Sequence, residues 1–95
     1  MATSNILIVD DEKSIRNLVR SYLEADGYRV LEAEDGEEAI RLVRDQTPDL
    51  VVLDVGMPVL DGVEALREIR TFSDVYVVML TARAEEVDKL IGLSV

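Results

Sequence analysis

The chain of 95 residues contains neither cysteine nor histidine. Without thiols it can build no disulfide framework and no thiolate metal site. Without imidazole it has no histidine acid–base chemistry, and most zinc sites are excluded. Positive charge is scarce too, 10 Lys and Arg against 20 Asp and Glu, for a net charge of −10. Non-specific nucleic-acid binding depends on basic side chains that neutralise phosphates, so this domain is not expected to bind nucleic acid by itself. Long apolar runs are also lacking. The opening MATSNILIVDDE has neither the basic region nor the length of a signal peptide, and no stretch approaches the roughly 20 apolar residues of a membrane span. A reducing, cytoplasmic setting without membrane association is expected.

What is present is a core. Hydrophobic residues make up 48% of the chain, which excludes a disordered acidic tail despite 32% charged residues. Four apolar runs read as strands: Ile6–Val9, Tyr28–Ala33, Leu50–Leu53 and Val75–Leu80. The first, third and fourth are nearly continuous in Val, Ile and Leu, as in a parallel sheet buried on both faces. Between them lie helical patterns. Ile15, Leu18, Val19, Tyr22 and Leu23 form one stripe, and Ala39, Ile40, Leu42 and Val43 a second. Val63, Leu66 and Ile69 give a third, and Val87, Leu90 and Ile91 a fourth. Turn signals at Asp26-Gly27, Asp35-Gly36, Pro48-Asp49, Pro58 and Asp61-Gly62 separate the elements, and residues 44–47 read as a short polar connection. The order βαβαβαβα predicts one α/β domain over residues 1–95 with a parallel sheet.

The acids fall where such a sheet binds ligands, at the carboxyl ends of strands. Ile6–Val9 runs into Asp10-Asp11-Glu12, Leu50–Leu53 into Asp54, and Val75–Leu80 into Thr81-Ala82. If the first and third strands are neighbours, Asp10, Asp11 and Asp54 converge. Two carboxylates about 4 Å apart repel by roughly 4 kcal/mol at an effective dielectric near 20. Such a cluster calls for a cation or a retained proton, and oxygen ligands with an open side favour Mg²⁺. Ordinary roles exist for each residue singly. Asp11 or Ser14 could cap the first helix, Asp54 could form a turn, Thr81 could cap the helix before Glu85, and Asp61-Gly62 could be only a turn and helix start.

The segments ILIVDDE, LVVLD followed by VGMP and LDG, and VVMLTA resemble, in order and spacing, the motifs of the receiver domain of two-component response regulators. The closing EEVDKLIGLSV is similar to the fourth helix of the OmpR type. The resemblance implies a flavodoxin-like (CheY-like) α/β fold with strand order 2-1-3-4. It implies that Asp54 takes a phosphoryl group from a phosphohistidine on a sensor histidine kinase, to control an output such as transcription. Asp11, Asp54 and the backbone oxygen of Gly56 would hold Mg²⁺, with Asp10 acting through a water. The Thr81 hydroxyl and the amides of Val55 and Ala82 would hold the phosphoryl oxygens. Ile15 and Leu18 on the first helix would face the kinase, and Lys89, Leu90 and Leu93 would contribute to a dimer face. Such a module assists its own phosphorylation and dephosphorylation without being an enzyme in the usual sense.

The family also places a lysine at the end of a fifth strand. The lysines here, Lys13 and Lys89, occupy other places, and by the chain's own period a fifth unit would begin just past Val95. The expectation is therefore a receiver with an incomplete fifth βα unit, whose uncharged Val75–Leu80 edge favours a homodimer or strand-edge association. The alternative is a non-switching interaction module derived from a receiver. A haloacid dehalogenase-type phosphatase is disfavoured, because that class carries a second aspartate where this chain has Gly56.

Overall fold

The computed structural model describes residues 3–57 and 61–80. Over these the elements alternate as β1 (Asn5–Val9), α1 (Lys13–Ala25), β2 (Arg29–Ala33), α2 (Gly36–Gln46), β3 (Leu50–Asp54), α3 (Gly62–Arg70) and β4 (Tyr76–Leu80). The strands form one parallel sheet in the order β2-β1-β3-β4, in the arrangement implied by the resemblance. The fourth helical pattern, with Lys89, Leu90 and Leu93, lies outside the described residues, as do Thr81 and Ala82.

β1 is the central spine, which explains why its run is continuously apolar. Leu7, Ile8 and Val9 are fully buried, with β2 on one side and β3 on the other. Successive residues of a strand point to opposite faces. Leu7, Val9, Val51 and Leu53 share the face covered by Ala39 and Val43 of α2, Ala65 and Ile69 of α3, and Met57. Ile6 and Ile8 point the other way, where α1 packs on β1 and β2. Burying each large side chain of this core contributes about 1.5–3 kcal/mol.

The helix ends follow local chemistry. Asp35 caps α2 by accepting from the Glu38 N–H at 2.9 Å, and Asp61 caps α3 by accepting from Glu64 N–H at 2.9 Å. α2 ends on Thr47, which adopts the left-handed region (φ 43°) and donates its N–H to Val43 O. Pro48 follows and cannot continue the helix.

Two expectations need correction. Residues 44–46 belong to α2 rather than to a connection. The apolar pattern stops at Val43 because the last helical turn faces solvent, where Arg and Gln are good helix formers. The stripe on α1 is also displaced. Leu18 is 55% and Tyr22 70% exposed, while Ile15, Arg16, Val19, Arg20 and Leu23 are the partly covered positions. Two arginines thus take part in the face turned to the sheet.

Candidate functional site

β1 and β3 run side by side with Val9 level with Leu53, so the residues that follow them emerge at the same edge of the sheet. Asp10, Asp11 and Asp54 each bring a carboxylate oxygen to within 4.8 Å of the others. The juxtaposition is tertiary, since the two strands are separated in sequence by α1, β2 and α2.

Asp10 is the enclosed member at 8% exposure. Its N–H donates to Ala33 O at 3.1 Å, the last rung toward β2. Its Oδ1 accepts the Glu12 N–H at 2.9 Å. Burial pushes its carboxyl above the ordinary range; the Glu12 amide opposes this, and the charges of Asp54, Asp11 and Glu12 add to it. Asp11 is exposed. It does not cap α1, and neither does Ser14. Glu12 occupies the cap position and makes no side-chain capping bond. The Asp11 carboxylate lies in the cluster instead.

Asp54 closes β3 level with Leu80 of β4. Its Oδ1 accepts the Gly56 N–H at 3.2 Å, so the turn-forming role read from the sequence is present alongside membership of the cluster. The Val55 amide is engaged with the neighbouring strand. Its N–H donates to Leu80 O at 3.1 Å, extending the β3–β4 ladder. In this structure the amide directed at the Asp54 carboxylate is that of Gly56, because the chain turns away from β4 only after Val55. Thr81 and Ala82 follow directly after Leu80 in the sequence but lie outside the described residues. Ile15 is partly covered on α1, and Leu18 is exposed there.

Two residues of the site escaped the sequence reading. Gly62 starts α3 against the backbone of the phosphoacceptor candidate. A Cβ at this position would lie 2.8 Å from Val55 Cα and still closer to the Asp54 carbonyl oxygen. Its N–H points at Val55 O, 3.4 Å away. The Asp-Gly pair signalled a helix start, but nothing local signalled the close approach. Arg16 donates to the Asp10 backbone oxygen at 2.7 Å and to Glu32 Oε1 at 3.0 Å. An arginine beside Ile15 on the partly apolar stripe was the available hint.

The donors fit a hard divalent cation. All are oxygens, they converge from two strands, and they range from buried to exposed, leaving an open side for water or a phosphate oxygen.

Residues 6–95 match the response regulator receiver domain family. The chain is 46% identical over 90 residues to the KDP operon transcriptional regulatory protein KdpE of Escherichia coli, covering 95% of this chain and 40% of that protein. It is 48% identical over 89 residues to the alkaline phosphatase synthesis transcriptional regulatory protein PhoP of Bacillus subtilis, covering 93% of this chain and 37% of that one. It therefore spans well under half the length of these relatives. Among solved structures, chemotaxis protein CheY4 of Vibrio cholerae superposes with a TM-score of 0.84 at 33% identity, over 98% of this chain and 80% of that one. Strand order, acid cluster and these similarities agree: the chain belongs to the response regulator receiver domain family.

Proposed function

We propose that this domain is the phosphoacceptor of a two-component regulator, with Asp54 receiving a phosphoryl group from a phosphohistidine on a sensor histidine kinase. The observation that carries the reading is the convergence of Asp10, Asp11 and Asp54 from two adjacent parallel strands. A carboxylate oxygen of Asp54 attacks phosphorus, the phosphorus–nitrogen bond of the phosphohistidine breaks, and the imidazole keeps the electron pair and takes a proton. Phosphoryl transfer asks the protein mainly for alignment and for charge stabilisation.

Asp11, Asp54 and the Gly56 carbonyl would hold Mg²⁺ directly, and Asp10 would hold it through a water. A bound Mg²⁺ supplies charge neutralisation at the phosphoryl oxygens and keeps the nucleophile ionised. The Gly56 N–H, already on Asp54 Oδ1, would donate to a phosphoryl oxygen. Thr81 and Ala82 follow β4 and take the corresponding hydroxyl and amide roles. Val55 can contribute its amide only by leaving Leu80 O. The relatives are transcriptional regulators by name, and control of transcription through a further segment is the matching output. A cytoplasmic setting goes with this reading, since such an output acts there; no helix among the described residues is long and apolar enough to cross a membrane. Pairing of two copies, through the β4 edge or the segment holding Lys89, Leu90 and Leu93, accompanies the switch.

Treatment with acetyl phosphate and Mg²⁺ followed by intact-mass measurement tests the assignment. One added phosphoryl group in the wild type and none in Asp54→Ala is expected. An adduct that persists in Asp54→Ala overturns Asp54 as acceptor, and absence of any adduct favours the non-switching module.

A further inference from the structure

Arg16 reaches from α1 to both neighbouring strands of the sheet. Its Nη1 donates to the backbone oxygen of Asp10 at 2.7 Å and its Nε to Glu32 Oε1 at 3.0 Å. Glu32 belongs to β2, level with Ile8 of β1, and its other oxygen is held by Arg20. The Arg16 and Glu32 side chains are 12% and 23% exposed, so the pair is partly withdrawn from water and its geometry is set by the packing of α1.

Among the described residues, the oxygen that Arg16 holds accepts no backbone N–H. The Asp10 N–H makes the last rung to β2, after which the chain leaves the sheet, and the carbonyl that follows falls beyond the ladder. An enclosed backbone acceptor needs a donor, and a guanidinium gives a charge-assisted one. This oxygen belongs to the peptide that joins Asp10 to Asp11. Because that peptide is planar, holding its oxygen sets the direction in which Asp11 leaves the strand. The Glu12 N–H independently holds the Asp10 carboxylate at 2.9 Å.

We propose that Arg16 is a positioning residue. Pinned by Glu32, it fixes the Asp10–Asp11 peptide so that these two carboxylates meet Asp54 in the geometry that a divalent cation requires. The inference rests on the reading of the three aspartates as a Mg²⁺ site. Arg16 contacts the main-chain oxygen and not the carboxylates, so it orients the ligands while leaving free the negative charge that attracts the cation. Partners behind metal ligands typically change metal affinity about 10–100-fold when lost. Lysine cannot replace the fork, since its single ammonium does not span two acceptors in the same planar geometry.

The test is calorimetric titration of Mg²⁺ alone into the full chain and its variants, with amide chemical shifts followed by NMR. Asp11→Ala removes a ligand and should abolish binding. Arg16→Gln should weaken Mg²⁺ about 10–100-fold and displace the Asp11 amide resonance before metal is added. Arg16→Lys should fall between, and Arg20→Gln should stay near wild type. Ile69→Val, a mild core change far from the cluster in sequence, controls for lost stability. Wild-type affinity in Arg16→Gln, or in Arg16→Lys if the glutamine variant does not fold, overturns the inference while leaving the Mg²⁺ site standing. An equal loss in Ile69→Val also overturns it, since affinity would then merely follow stability. Failure of the wild type to bind Mg²⁺ overturns the site and the inference together.

Discussion

Withdrawn from water and facing the charges of Asp54, Asp11 and Glu12, Asp10 carries the electrostatic burden of the cluster. Its carboxyl holds a proton more tightly in the folded than in the unfolded chain. Folded protein therefore binds more protons between the ordinary carboxylate value and the raised one, and stability falls as pH rises through that window. Asp10→Asn keeps an oxygen that can accept the Glu12 N–H but removes the charge. In the absence of divalent metal it should melt at a higher temperature than wild type at neutral pH, and the gain should shrink as pH falls through the window. Melts followed by circular dichroism in chelator across this range check the sign; a less stable variant at neutral pH contradicts it. Gly62 is the second residue whose role is steric. A methyl group there meets the Asp54–Val55 backbone, so Gly62→Ala must push α3 outward or bend the end of β3. A loss of about 1–3 kcal/mol is expected for such overpacking, read as a fall in Tm of about 4–8 °C per kcal/mol. An unchanged Tm would show that α3 slides freely on the strand end.

Among the elements, α1 has two tasks on different faces. Ile15, Arg16, Val19, Arg20 and Leu23 are the partly covered positions, whereas Leu18 and Tyr22 stand out to solvent one turn apart. The geometry separates the two residues that the sequence suggested for the kinase surface. Leu18→Ser should slow phosphoryl transfer from a cognate kinase while changing stability by no more than about 0.5 kcal/mol, as exposed substitutions do. Ile15→Ser should act mainly on stability. Phosphotransfer rates paired with melts measure both, and the reverse ranking would place the contact surface on the covered side. α2 and α3 lack this ambiguity. Each begins with a capping aspartate and buries small residues, Ala39 and Ala65, against the sheet.

At the scale of the molecule, the sheet has an asymmetric finish. Among the described residues β4 is its outer strand beyond β3, and it alternates in cover. Val77 and Met79 pack against the core, while Tyr76 (80% exposed), Val78 and Leu80 form an open apolar row. This alternation decides where a probe of self-association belongs. A lysine at Val77 would damage the core, whereas Val78→Lys places charge on the open row of an edge that carries none. If the edge mediates pairing, light scattering should show wild-type association that grows with concentration and a Val78→Lys chain that stays monomeric. A wild type that is monomeric at all concentrations, with a concentration-independent melt, removes β4 as an association surface.

The elements were legible because their signals are local. The continuous runs of β1 and β3, the period of the helices, and the acids directly after Val9 and Leu53 lie within a few residues of one another. The strand boundaries agree with the structure to within a residue, and the first three helical stripes fall inside α1, α2 and α3, although α2 continues through polar residues 44–46 on its solvent side. Strand order was not local: composition and spacing allow several pairings, and only the ladder Val9↔Leu53 brings Asp54 beside Asp10 and Asp11. The bond from Arg16 to the Asp10 carbonyl, the contact of Gly62 with the Asp54–Val55 backbone, and the rotation that exposes Leu18 were likewise outside the reach of the pattern. Each depends on how one element packs against the next, and apolar periodicity does not report that. The amino-acid order by itself determined the strands, the helices and the placing of carboxylates at strand ends, because propensity and periodicity act between near neighbours. The tertiary structure decided which of those carboxylates meet and what holds them, because packing and hydrogen bonding act between residues that only the fold makes adjacent.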